Sequence, residues 1–395
     1  MHNTRQMKKR VLFIFIEPFY FGGGSGLAAN AMEAAAEKYD VTWLTTRRPD
    51  LKRIDSYWGT NLSTMDLDFI VMKESGFWGW LQLHIPGRWM RLSLLARIVQ
   101  RLHRRNPFDA YASVLDEVVL PKRGLQYVHY PRLERYQEAM TRPSWLKRLG
   151  VLQAYRWVCK QIGSESIEFF ARNRTLANSE FTASAIRRIM DTDLHVVHPP
   201  VFTRPITIPW SEREEVFLCV GRLAGEKRIS MMVQILERVR RRGYPVRMTI
   251  AGTWDYQELE RGPFEESLHA RSEWINLVLD STQDELAALM QSCRYGIHGM
   301  EDEHFGMAPA EMQNAGCIVF AHNSGGPREI MGHDNRLLYD DVEDAVEKIC
   351  RVLSDSEVQE DLLKGVADRS KLFSSERFKS TFVGHIEALL LEEES

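Results

Sequence analysis

The stretch VLFIFIEPFYFGGGSGLAANAMEAAAEKYDVTWLTT, Val11 to Thr46, decides the fold class. Val11 to Ile16 is an unbroken apolar run of strand length, the pattern of a parallel strand covered on both faces. Phe21-Gly22-Gly23-Gly24-Ser25-Gly26 is a glycine-rich loop, and Leu27 to Asp40 is alanine-rich and helix-forming. Val41 to Thr46 is a second strand. Strand, loop, helix, strand opens a βαβ unit, so the reading starts from an α/β fold on a parallel sheet.

Working outward, the pattern blurs between Asp50 and Asp68 and resumes with a short strand at Phe69 to Met72. A helix follows at Leu92 to Leu102, with Leu94, Leu95, Ile98, Val99 and Leu102 on one side. Asp109 to Leu115 and Leu125 to His129 read as strands, and Trp145 to Arg172 as one long aromatic-rich helix. Thr175 to Ser179 is a strand, Phe181 to Met190 a helix, and His195 to Val201 closes the half with a Pro-Pro pair. A second alternation then begins. Strands are expected at 216–221, 246–252, 275–280, 295–299 and 317–322, and helices at Ile229 to Arg241, Asp284 to Gln291, Met307 to Asn314, Val342 to Leu353 and Val358 to Phe373. The expected organisation is two doubly wound, Rossmann-like domains, 1–205 and 206–375, facing a central cleft, with a helix in 376–395 packing back on the first.

The 395 residues suit two domains. A formal net charge of −3 gives no global basic field, so nucleic acid is not expected as a partner. The five cysteines (Cys159, Cys219, Cys293, Cys317 and Cys350) contain no Cys-x-x-Cys and read as reduced, buried thiols of a cytoplasmic protein. The apolar run at Val11 is too short for a secretion signal, and no window reaches the ~20 residues a membrane span needs.

Chemistry concentrates in EDEHFGMAPAEMQNAGCIVFAHNSGGPRE, Glu301 to Glu329. A helix beginning near Met307 offers free N–H groups and a partial positive charge, which suit a diphosphate, and Gly306 allows close backbone approach. Glu303, in the loop before it, is placed to accept sugar hydroxyls. Glu311, near the second turn, is placed to accept the two adjacent ribose hydroxyls. Taken singly, each glutamate reads equally as a solvated loop or helix-face residue. Gly221-Arg222-Leu223-Ala224-Gly225-Glu226-Lys227-Arg228 follows a strand, and Arg222 and Lys227 there are candidates to clamp a diphosphate and neutralise a leaving group.

Glu303-x7-Glu311, the Gly-Arg-Leu…Glu-Lys-Arg segment and the N-terminal glycine loop together resemble glycosyltransferase family 4, of the GT-B fold, over nearly the whole chain. LANSEFTASAIRRI (176–189) and HPPV (198–201) resemble that family's domain junction. QYVHYP (126–131) and EHFGMAPAEMQNAG…AHNSGGP are most similar to the α-1,2-mannosyltransferases that extend lipid-linked oligosaccharide from GDP-mannose. The resemblance implies a retaining transferase acting on a GDP-mannose or other nucleotide-sugar donor, such as a UDP-sugar, and a glycan or lipid-linked acceptor. It implies that Gly23 and Gly24 lie near the donor phosphates or the acceptor and that His129 faces the transferred sugar. It also implies that Arg222 and Lys227 hold the diphosphate, Glu303 the sugar and Glu311 the ribose. Backbone groups of Phe305, Gly306 and Met307 would approach sugar and phosphate. The catalytic set implied is His129, Arg222, Lys227 and Glu303. No paired carboxylates of the glycosidase kind are found. Asp66-Leu-Asp68 and Asp191-Thr-Asp193 match a metal-binding spelling common by chance, so neither metal nor cofactor is expected.

Trp78, Trp80 and Trp89 lie near Arg88, Arg91, Arg97, Arg101, Arg104 and Arg105, with no acid between Trp89 and Arg105. Tryptophan and arginine beside an amphipathic helix suit an anionic lipid interface, so a peripheral contact with the inner face of a membrane is expected. The rival from another class is an NADP-dependent oxidoreductase. Gly24-x-Gly26-x-x-Ala29 fits a dinucleotide fingerprint and Arg47-Arg48 a 2′-phosphate site, but neither explains Arg222, Lys227, Glu303 or Glu311.

Overall fold

The structure is a computed structural model that describes residues 8–16, 22–72, 88–132, 134, 151–163, 166–202, 204–254 and 261–394. The chain divides into two compact units, Met1–Pro200 with Ser375–Ser395, and Val201–Ser374.

The first unit is built on seven strands: β1 Arg10–Ile14, β2 Asp40–Thr45, β3 Leu67–Val71, β4 Ala110–Ser113, β5 Leu125–Val128, β6 Arg174–Ala177 and β7 Asp193–Val196. Their order is β3-β2-β1-β4-β5-β6-β7, and every pairing is parallel. Val11 to Ile14 of β1 are wholly buried, which is why that strand is apolar without alternation. Chain order reverses between β1 and β4, so the loops after these strands part and leave the crevice where doubly wound sheets bind ligands. The helix Ser375–Glu394 belongs to this unit. Its Phe382 ring lies 6.0 Å from Phe13, and Phe378 lies 6.3 Å from Tyr127. Lys379 Nζ meets the buried Glu33 carboxylate at 2.5 Å.

The second unit has six strands: β8 Glu214–Val220, β9 Arg247–Gly252, β10 Ile275–Leu279, β11 Cys293–His298, β12 Ile318–His322 and β13 Leu338–Tyr339. The order β10-β9-β8-β11-β12-β13 is again wholly parallel, with the reversal between β8 and β11. Phe217, Tyr295 and Phe320 stack across these central strands and are fully buried.

The structure differs from the sequence reading in particular places. Trp145 to Arg172 is not one helix: the described part forms Val151–Gly163 and Ile167–Ala171, the second opened by Ser166, whose hydroxyl accepts the Phe169 N–H. The blurred stretch contains the helix Leu51–Trp58. Asp50 caps its N-terminus by accepting the Arg53 N–H, and left-handed Gly59 ends it. The helix expected over Val358 to Phe373 runs from Ser356 to Ser370 and tightens into a 3₁₀ turn at Lys371–Phe373. Trp78 and Trp80 lie outside the described residues.

Candidate active site

In the second unit, the two strands flanking the reversal supply the two halves of one polar cluster. After β8 the backbone turns at Gly221, whose φ is 151°, and a 3₁₀ turn Gly225–Lys227 follows. Lys227 then reaches across: its Nζ donates to Glu303 Oε2 at 2.5 Å and contacts Met300 Sδ at 3.1 Å. Lys227 and Glu303 are 18% and 17% exposed, so this is a largely desolvated ion pair rather than a surface one. His298, the last residue of β11, places Nε2 3.5 Å from the same oxygen. Burial pushes the Glu303 carboxyl up, but His298 and Lys227 more than offset it and hold it at about 2.

The loop carrying Glu303 is fixed by its backbone. Gly326 N–H donates to Glu303 O at 2.7 Å, and Asp302 N–H donates to Ser324 Oγ at 2.7 Å. At Gly325, φ +68°, a Cβ would stand 2.3 Å from Glu303 O. Asn-Ser-Gly-Gly after β12 is therefore a clamp that only glycine fits. Arg228 and Asp302 both adopt left-handed backbone, at φ 53° and 49°, a conformation that non-glycine residues adopt at a cost. Between them Arg228 pairs with Glu301, and His322 Nε2 approaches Glu301 at 3.4 Å.

The helix Met307–Asn314 starts from Gly306 at φ 104°. Its first turn leaves the N–H groups of Met307 and Ala308 outside the helical ladder, while Pro309 has none to offer. Phe305 is buried, with its ring 5.7 Å from Phe373. Glu311 is half-buried on the second turn, and burial pushes its carboxyl up to about 7. Among the described residues its side chain makes no hydrogen bond or ion pair. Glu303 and Glu311 thus sit eight residues apart with their carboxyls shifted in opposite directions. Arg222 lies on the Lys227 loop but is 56% exposed and pairs with Glu226 Oε1 at 2.6 Å. The structure brings Lys227 to Glu303 and leaves Arg222 at the rim.

In the first unit, Gly23 and Gly24 open the helix Gly23–Lys38 immediately after the loop from β1. A Cβ on Gly24 would lie 3.7 Å from the His129 ring, so helix start and histidine adjoin. His129 follows β5, and its backbone is held on both sides. Its N–H donates to Asp116 Oδ1 at 2.8 Å, and its carbonyl accepts from Asn178 Nδ2 at 3.0 Å and Thr182 Oγ1 at 3.3 Å. Asp116 is wholly buried with φ 71°. Next to it Glu117 accepts the Arg132 N–H, and burial together with Asp116 pushes the Glu117 carboxyl up to about 7. Gly26 packs against Trp58, whose ring a Cβ would meet at 2.5 Å. Packing therefore accounts for that glycine without a dinucleotide.

His298, His322, Glu301, Arg228 and the Asp116–Glu117 pair escape the sequence reading. His298 lies within the strand expected at 295–299, and Asp116 and Glu117 lie just past the strand expected at Asp109 to Leu115, with no motif around either to mark a site. Asp193 of one metal-like triplet is taken up by Arg123, Arg174 and His195. Asp66 and Asp68 are exposed. All five cysteines are buried and unpaired with one another. No described helix is long and apolar enough to cross a membrane.

Trp89 is half-buried, with Arg156 stacked 4.4 Å from its ring. Arg91, Arg97, Arg101, Arg104 and Arg105 are exposed on the helix Arg88–Arg105. The exposed tryptophan beside this helix is Trp157, at 63%.

Residues 205–368 match the family model described as glycosyl transferases group 1. The chain is 26% identical over 241 residues to the GDP-Man:Man(3)GlcNAc(2)-PP-Dol alpha-1,2-mannosyltransferase of Dictyostelium discoideum, covering 54% of this chain and 47% of that one. It is 32% identical over 123 residues to the Homo sapiens protein of the same description, covering 30% of this chain and 25% of that one. The chain thus spans about half or less of the length of these relatives. Among solved structures, that of Anabaena HepE with UDP and glucose superposes with a TM-score of 0.67 at 14% identity, over 96% of this chain and all of that one. The fold is GT-B.

Proposed function

We propose, on the premise that residues 205–368 belong to the group 1 glycosyl transferases, that the chain transfers a hexose from a nucleotide sugar with retention of configuration. The observation that carries this reading is the cluster at the β8–β11 reversal. It consists of Lys227 on Glu303, a helix N-terminus beside them and a half-buried Glu311 on that helix. Cation and helix start suit a diphosphate, and the two carboxylates suit hydroxyl pairs. The names of the relatives favour GDP-mannose as donor and a lipid-linked oligosaccharide as acceptor. A UDP-sugar is the alternative that the name of the HepE complex suggests.

In the step proposed, the bond from the anomeric carbon to the donor phosphate oxygen breaks. The acceptor hydroxyl oxygen bonds to that carbon from the same face, and the hydroxyl proton passes to the departing phosphate oxygen. Lys227 and the Met307 helix start stabilise the charge that develops on the diphosphate. No protein nucleophile, metal or cofactor takes part. His129, with Gly24 beside it, is assigned to the sugar-transfer step rather than to nucleotide binding. Arg222 joins the diphosphate by leaving Glu226.

The test is slow donor hydrolysis without acceptor, in EDTA, followed by proton NMR at the anomeric position. Release of α-mannose as the first product from GDP-mannose supports retention and metal independence, and release of β-mannose would sink retention. A peripheral membrane contact is proposed through Trp157 and the arginines of Arg88–Arg105, extending to Trp89. It rests on the exposed basic helix face. Flotation with anionic liposomes at low salt tests it, and absence of binding refutes it.

A further inference from the structure

The donor-site reading leaves one buried side chain unused. His298 is 5% exposed, and its Nε2 is buried without a hydrogen-bond partner, although it points at Glu303 Oε2 from 3.5 Å. A buried polar atom left short of its partner costs free energy, so this one calls for an explanation. The backbone of His298 is itself tied down, since Tyr339 Oη donates to its carbonyl at 2.7 Å. The ring, 5% exposed, is enclosed by its packing. Lys227 Nζ addresses the same oxygen, at 2.5 Å. Lys227 is bonded to Oε2 and His298 faces the same oxygen, and among the described residues none donates to Oε1.

We propose that His298 is a positioning and specificity residue. With Lys227 it pins Oε2 of Glu303, so that Oε1 alone, at a fixed angle, accepts one hydroxyl of the donor's sugar. This inference rests on the nucleotide-sugar reading above. A carboxylate free to rotate accepts hydroxyls in several directions and discriminates poorly between epimers. One held at a single oxygen accepts from one direction, and an inverted hydroxyl leaves it unpaired, the condition under which polar sites discriminate strongly. His298 acts through Glu303 and not on the sugar. Its Nε2 must carry the hydrogen to donate to Oε2. Glutamine, whose side-chain amide reaches to a similar position, can replace that donor, and alanine cannot.

The experiment is calorimetric titration of the full chain and of His298→Ala and His298→Gln. The probes are GDP, GDP-mannose and GDP-glucose, with UDP, UDP-glucose and UDP-galactose run in parallel. The quantities read are the affinity gained by adding the sugar to the nucleotide and the preference between the two epimers. His298→Ala is expected to bind the bare nucleotide within about twofold of the intact protein and to lose about tenfold of the sugar's gain, the worth of one hydrogen bond to a charged group. Its epimer preference is expected to shrink accordingly, and His298→Gln to restore most of both. Retained nucleotide affinity shows that the variants are folded. Unchanged sugar gain in His298→Ala, or equal losses for nucleotide and nucleotide sugar, would overturn the assignment while leaving the donor site standing. Failure of the intact protein to bind any of the six would overturn the donor-site reading and this assignment with it.

Discussion

The two sheets each carry a polar group just beyond a strand near their point of reversal, and they hold it in different ways. In the first unit His129 is gripped by its backbone: the buried Asp116 takes its N–H, and Asn178 and Thr182 donate to its carbonyl. In the second unit the Glu303 side chain itself is held, by the ion pair with Lys227, with the His298 ring 3.5 Å from the same oxygen. The His129 ring is engaged as well, with Nε2 3.3 Å from the Val114 carbonyl, but by a neutral group rather than a charge. A side-chain grip fixes the charge itself.

The largest effect expected from breaking this contrast is at Lys227. Lys227→Ala strips a largely buried carboxylate of its main partner, and breaking such pairs costs about 3–5 kcal/mol. With the pair still partly exposed, we expect the lower end in urea unfolding, together with loss of measurable nucleotide-sugar binding. Gly325→Ala comes next. Its Cβ would stand 2.3 Å from Glu303 O, at a φ of +68°. We expect a loss of about 2 kcal/mol or more in the same unfolding experiment, with sugar-dependent affinity failing before nucleotide affinity.

Titration sharpens the comparison between the two glutamates. Glu311 is pushed up to about 7, and only as the carboxylate does it offer both oxygens as acceptors to the two ribose hydroxyls. Nucleotide affinity is therefore expected to fall about tenfold from pH 8 to pH 6 in the intact protein and to stay flat in Glu311→Gln, a difference that calorimetry reads. Glu303 runs the other way. Its folded value, about 2, lies below the ordinary carboxylate range. The stability it contributes is therefore fully present above about pH 4.3 and is lost as pH falls toward 2. Acid unfolding of the intact protein against Glu303→Gln checks the sign. The smallest effect is in the first unit, where Asp116→Asn keeps an acceptor for the His129 N–H. Turnover should drop by less than about tenfold, the worth of weakening one charge-assisted hydrogen bond, with donor affinity unchanged.

Much of this was legible in the sequence where one physical signal dominated. Ile229–Arg241 and Met307–Asn314 match their expected bounds to the residue, because periodicity and flanking turns agree there. β13 has two residues and presents no run to read. Leu51–Trp58 hid behind Lys52, Arg53 and Asp55, although Asp50 and Gly59 mark its ends. At the site, Lys227, Glu303 and Glu311 were readable because glycines and a helix start surround them. His298 and Asp116 were not, since their roles depend on partners 5 and 13 residues away that only the folded loops bring within reach.

Whether the polar cluster at the β8–β11 reversal binds a nucleotide sugar is decided by thermal unfolding of the full chain with GDP, GDP-mannose, UDP, UDP-glucose and NADPH, all in EDTA. A ligand at about 100 times its dissociation constant stabilises a protein by roughly 2.7 kcal/mol. A nucleotide diphosphate and its sugar are expected to raise Tm, an effect abolished in Glu311→Ala. A rise with NADPH and none with any of the other four would rule out a nucleotide-sugar site there.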